Sequence, residues 1–214
     1  MSAPLVTRID SVWLRERFAA QRVVPPLVAG DGSVPALGTA VPPGALRPAA
    51  VLVGMVERSA ELTVLFTRRA DHLHAHAGQI SFPGGAAEEG DESLVATALR
   101  ETKEEIGLHR RHVEVIGRLH EYRTVSGYCV TPIVALVRPP FELVPDKFEV
   151  AEVFEVPLAF LLDERNHRRE TMLRDGRKRE YYAMPYGHYY IWGATAGMLM
   201  NLYGYLTDPA DRSF

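Results

Sequence analysis

Residues 82–108 read FPGGAAEEGDESLVATALRETKEEIGL, and the way this stretch folds decides how the rest is arranged. Its opening belongs to a glycine-rich, polar segment without a period, so 78–90 reads as a loop. From 92 to 106 the text changes: Leu94, Ala98, Thr102 and Ile106 recur at a spacing of four, and so do Val95 and Leu99. That is a helix with one buried stripe. Asp91 is placed to cap it and Gly107 to stop it. Glu101 and Glu105 then lie one turn apart with Glu104 between them, so three carboxylates crowd one side of the helix. Like-charge neighbours of this kind cost about 0.2–0.5 kcal/mol per pair on an isolated helix, and a bound cation reverses the cost. Ligands that are all carboxylate oxygens suit a hard ion, Mg2+ before Zn2+, with Mn2+ as a substitute. The bland alternative is an exposed glutamate-rich face with Arg100 and Lys103 as partners.

Working outward, 49–56 and 62–67 are rich in Val and Leu and are separated by a polar Glu57-Arg58-Ser59 break, which predicts a hairpin. Further strands are predicted at 113–120, 130–137 and 150–156, with Pro139 and Pro140 ending the second. Pro157 opens a short helix to 162. Residues 165–180 carry seven basic and three acidic side chains around Asp175-Gly176, a two-residue hairpin signal. A closing helix is predicted over 191–206. Upstream, Trp13, Leu14 and Phe18 share a helical arc capped by Asp10 or Ser11, followed by an extended connector. The first 48 residues hold seven of the fifteen prolines. Strands and helices are mixed rather than strictly alternating, which predicts an α/β/α sandwich around a mixed sheet.

The chain has 214 residues, 47% of them hydrophobic and 24% charged. This is an ordinary globular composition with room for a sizeable core, and it excludes disordered, collagenous and coiled-coil chains. Twenty-four basic residues against twenty-seven acidic ones leave a net charge of -3, so no nucleic acid is expected as the main partner. The lone Cys129 makes no internal disulfide and no cysteine-built zinc site, and a cytoplasmic address is expected. No membrane partner is expected either, because no apolar run reaches the roughly 18–20 residues of a spanning helix.

The spacing from Glu92 to Arg100, Glu101, Glu104, Glu105, Gly107 and Leu108 resembles the signature of the Nudix hydrolases: G, five residues, E, seven residues, R, E, an aliphatic, any, E, E, any, G, an aliphatic. Two positions depart from it. The signature glycine falls on Ala86, one residue past Gly85, and the first aliphatic is Thr102. Upstream, Leu65, Phe66, Thr67, Arg69, Ala70, His74, Gly78 and the Phe82-Pro83-Gly84-Gly85 run are similar to the motif of the coenzyme A pyrophosphatase branch, with Phe66 for a leucine and His74 for an arginine. The likeness covers roughly 49–206. Residues 1–47 lie outside it as a helix and a Pro/Gly-rich extension, and 207–214 form a tail.

The resemblance implies metal-dependent cleavage of a pyrophosphate. Glu101, Glu104, Glu105, Glu92 and the Gly85 carbonyl would surround Mg2+ or Mn2+, and Arg100 would orient a glutamate. It also implies substrate contacts from Arg69, His74, Gln79 and Gly84. For the general base the later candidates are Glu149 and Glu152, against a plain charged strand edge. The expected substrate is a nucleotide of the coenzyme A type, with ADP-ribose or a dinucleotide, and a non-catalytic nucleotide-binding module, as alternatives. His72, His74 and His76 read as a polar substrate loop rather than a zinc site, since alternate residues of an extended segment do not close a tetrahedron. Cys129 reads as a small buried residue. The basic hairpin reads as a solvated face, a contact for a 3'-phosphate, or a weak nucleic-acid contact. The aromatic residues of 181–192 read as core, as a stack for adenine, or as the interface of a homodimer.

Overall fold

The computed structural model describes residues 9–31, 46–73, 76–174 and 176–208. In chain order the elements are α1 (Ser11–Ala19), β1 (Arg47–Glu57), β2 (Leu62–Arg69), β3 (Ile80–Ser81), β4 (Gly84–Ala86), α2 (Leu94–Ile106), β5 (Val113–Arg118), β6 (Tyr122–Arg123), β7 (Tyr128–Val137), β8 (Val150–Pro157), α3 (Leu158–Leu161), β9 (Arg168–Arg174), β10 (Arg177–Tyr186), β11 (Tyr189–Trp192) and α4 (Gly193–Thr207).

β1 and β7 run parallel at the centre of a mixed sheet, and every other pairing in it is antiparallel: β1 with β2 and β4, β2 with β3 and β8, β7 with β5 and β6. The strand alternation sorts the core into two layers. Ala50, Leu52 and Val56 of β1 join Ile133, Ala135 and Val137 of β7 on the face that buries Ala98 and Ile106 of α2. Ala49, Val53 and Met55 join Val130, Val134 and Leu136 on the other face, against Leu14 and Phe18 of α1 and Leu199 and Leu202 of α4. The expected α/β/α sandwich with a mixed sheet is thus observed. A second antiparallel sheet, β9 to β11, packs beside it, with Phe154 of β8 stacked on Tyr189 at 3.6 Å between ring centroids.

Most expected elements are present, with shifted ends. The glycine-rich loop contains two short strands, β3 and β4, since its backbone pairs with β2 and β1. Residues 191 and 192, expected to open the last helix, end β11 (Tyr189–Trp192) instead, and α4 starts at Gly193. Ser93, not Asp91, caps α2: its hydroxyl accepts from the Ala96 N–H at 3.2 Å, while Gly107 ends the helix at φ 72°. Cys129 is half-buried rather than buried, and its thiol donates to Glu121 at 3.2 Å. Burial and that carboxylate push its pKa up to about 11, so it stays protonated. Among the described residues no helix is long and apolar enough to cross a membrane.

Candidate active site

The acid face of α2 meets the β3–β4 loop. Gly84 adopts φ +149°, and a Cβ there would lie 2.3 Å from the Ala50 carbonyl, so only glycine lets the loop lie against β1. That approach aims the Gly84 N–H at the Glu105 carboxylate, 3.1 Å away. Glu105 is 5% exposed. Burial, with help from Glu101 and Glu149 and against the Gly84 N–H and Arg69, raises its pKa to about 7. The Glu101 carboxyl is also raised, first by burial, although Arg100 opposes this. Glu104 is the exposed member of the group.

Arg100 holds this face in order. Its Nε and Nη2 form a fork with the Asp91 carboxylate, at 3.0 Å each, and Nη1 donates to Glu101 and to Glu104 at 2.9 Å. Asp91 also accepts from the Glu88 N–H and the Thr97 hydroxyl, and these bonds, Arg100 first, hold its carboxyl well below the usual range. Glu92 is exposed and, among the described residues, has no hydrogen-bond or ion-pair partner; its neighbour Asp91 takes the ordered position.

Glu149 is carried to the cluster by the loop that wraps the end of α2. The Val144 and Asp146 N–H groups bond the free carbonyls of Ile106 and Glu105, both at 2.9 Å, and the Glu149 carbonyl accepts from Ala70 at 2.8 Å. Its charge acts on both Glu101 and Glu105. Glu152, the other late candidate, faces elsewhere: it accepts from the Tyr189 hydroxyl and lies 3.8 Å from Arg68. Arg69 sits near enough to Glu105 to lower its pKa, and its buried Nε has no hydrogen-bond partner among the described residues. Gln79 Oε1 accepts from His76 Nδ1 at 2.8 Å, while His72 packs on Phe148. His74 lies outside the described residues.

The donor set suits a hard divalent cation. A Cβ on Gly85 would lie 2.6 Å from the Glu101 carboxyl carbon, so the bare backbone leaves a cradle against that carboxylate. Glu101, Glu104, Glu105 and the Gly85 carbonyl offer oxygen only. Among the described residues no three acidic, histidine or cysteine side chains converge as a closed cage.

The fold and this acid face present a carboxylate-lined site on α2 and the β3–β4 loop. The pattern of the NUDIX domain family matches residues 45–175. A protein named uncharacterized Nudix hydrolase NudL from Escherichia fergusonii is 41% identical over 156 residues, covering 73% of this chain and 81% of that one. Its namesake from Yersinia pestis strain Pestoides F is 43% identical, with 73% and 78% covered. A crystal structure of a MutT/nudix family protein from Enterococcus faecalis is 15% identical over 95% of this chain and 75% of that chain, with a TM-score of 0.47. The chain belongs to the Nudix hydrolases.

Proposed function

We propose that this protein hydrolyses the diphosphate bond of coenzyme A or its thioesters, giving 3',5'-ADP and 4'-phosphopantetheine or its acylated form. The observation that carries the reading is Arg69. It belongs to the 65–70 motif, its charge reaches Glu105, and its buried Nε lacks a partner that a phosphate oxygen would supply. Supporting it, the two halves of that motif pair in space: Phe66 stacks on Phe82 at 5.0 Å, and the Thr67 hydroxyl meets Ser81 Oγ at 3.1 Å.

A diphosphate repels an incoming water, so its charge must be offset and the attacking and leaving oxygens held in line. Glu101, Glu104, Glu105 and the Gly85 carbonyl would hold Mg2+ or Mn2+, which when bound would supply charge neutralisation and a lowered pKa of water. Arg100, itself fixed by Asp91, keeps Glu101 and Glu104 in position. Arg69 and Gln79 bind phosphate oxygens. Glu149 is exposed and beside the cluster, and it takes the proton of the attacking water as the P–O bond to the leaving phosphate breaks. Glu152 is engaged with Tyr189 and Arg68 and does not serve.

Coenzyme A, ADP-ribose and NADH offered side by side with Mg2+, with products identified by mass, test the reading. Coenzyme A is expected to give the two products named above at the highest kcat/KM. Preference for ADP-ribose or NADH rejects it.

A further inference from the structure

Gly84 and Arg69, which border the acid cluster, also line a cavity of about 510 Å³, a size typical of small-molecule sites. Part of its wall comes from outside the stretch that matches the family. Leu27, Val28, Gly30 and Asp31 line it, whereas the match begins at residue 45.

This short strap is fastened along its length. Asn201 of α4 reads the backbone of Val28 as a neighbouring strand would, accepting its N–H at 2.8 Å and donating to its carbonyl at 2.8 Å. Gly30 bridges to Arg123, and a Cβ on it would lie 2.4 Å from the Arg123 carbonyl oxygen. The Asp31 carboxylate accepts from the Tyr122 hydroxyl at 3.0 Å and from the Val125 N–H at 2.8 Å. Tyr122 is 2% exposed, and its hydroxyl lies 2.5 Å from where a Cβ on Gly197 would stand, so ring and helix are fitted to one another. A passive connector needs none of these bonds, each of which costs conformational entropy to form.

Charge is unevenly spread over the cavity wall. The cations Arg69, Arg169 and Arg179 come from β2 and the basic hairpin, and Arg169 is paired with Glu180. Asp31 receives two neutral donors and, among the described residues, has no cationic partner. A carboxylate there repels a phosphate and leaves a neutral group undisturbed. Beside it the wall is aliphatic and hydroxylic: Val51, Val130 and Met198 with Thr124 and Ser126. Such a lining suits an elongated chain of alkyl segments and amides.

We propose that residues 27–31 are a specificity element: they wall the cavity that takes the neutral, amide-bearing arm of the substrate, and Asp31, latched to Tyr122, turns away the phosphorylated nucleoside. The assignment rests on the coenzyme A reading above, so its test has an arm that does not depend on turnover. In kinetics, Asp31→Ala is expected to raise the KM for coenzyme A about tenfold with kcat within about twofold. The ratio of kcat/KM for coenzyme A to that for ADP-ribose should fall about tenfold. A purely structural role lowers both substrates in step, and a ratio within about twofold of wild type overturns the proposal. In binding, saturation transfer from metal-free protein to pantetheine, which has no phosphate, is read by NMR. It is expected for the wild type, weaker for Asp31→Ala, and lost for Ala194→Trp, which fills the cavity from α4. No transfer to pantetheine in the wild type, or undiminished transfer in both variants, overturns the cavity assignment. Coenzyme A left intact by an enzyme that still binds pantetheine in this pattern sinks the substrate reading and leaves the strap standing.

Discussion

Glu105 concentrates the chemistry in one residue, and its environment makes a prediction with a definite sign. Its carboxyl titrates at about 7 in the folded chain against about 4.3 for an unperturbed glutamate. Between those values the folded state binds more protons than the unfolded one, so this group withdraws stability as pH rises from about 4 to about 7. The loss is then complete. Glu105→Gln removes the term. In chelator, the variant at pH 8 is expected to be more stable than wild type by on the order of 3–4 kcal/mol. Near pH 4 the two should be close, and turnover with Mg2+ should fall at least about 100-fold. Urea unfolding at both pH values measures the first effect. A variant less stable than wild type at pH 8 would show that Glu105 is held by bonds rather than tolerated against the cost of its burial. The crowding of three acids was legible from spacing alone. The depth of Glu105 was not, because period says which side of a helix a residue occupies and not which loop covers it.

At the scale of the element, the loop and helix from Gly84 to Gly107 act as one device. α2 was readable because its apolar stripe is regular and Gly107 marks its end. Its start was misread because Asp and Ser both make good caps, and the choice between them depends on what else claims the side chain. Asp91 is claimed by Arg100, which leaves Ser93 at the cap. The same competition leaves Asp91 bonded to Arg100 and Glu92 exposed. Asp91→Asn keeps the shape and one acceptor but gives up the charge that anchors Arg100, and it is expected to weaken Mg2+ binding about 10–100-fold, the usual effect of disturbing a group behind the ligands. Glu92→Gln should stay within about twofold of wild type. Titration of activity against free Mg2+ separates the two, and a larger effect at Glu92 would place the acid that matters to the metal there and not at Asp91.

For the whole molecule, the N-terminal segment is where sequence reading reached least far. Trp13, Leu14 and Phe18 announced a helix, but an amphipathic spacing names a buried face without naming its partner. The partner is the main core. Leu14 is fully buried, Phe18 stacks on Tyr205 of α4 at 4.6 Å, and buried Arg17 donates through Nε to the Tyr205 carbonyl at 3.0 Å. On the outer side Arg15 binds Glu114 of β5 at 2.9 and 3.0 Å. Gly117 has no room for a Cβ, which would stand 2.4 Å from the Phe18 ring, so β5 and α1 are fitted together. The helix therefore ties β5 to α4 and sets where the strap at 27–31 begins its path toward the cavity. Leu14→Ala empties a site with no exposure and is expected to cost about 2–5 kcal/mol, a large part of the roughly 5–15 kcal/mol that holds a domain folded. The urea midpoint should drop without a change in slope. A cost below about 1 kcal/mol would mean that α1 is carried by the fold instead of helping to hold it, and the strap would then lack the anchor that its position requires.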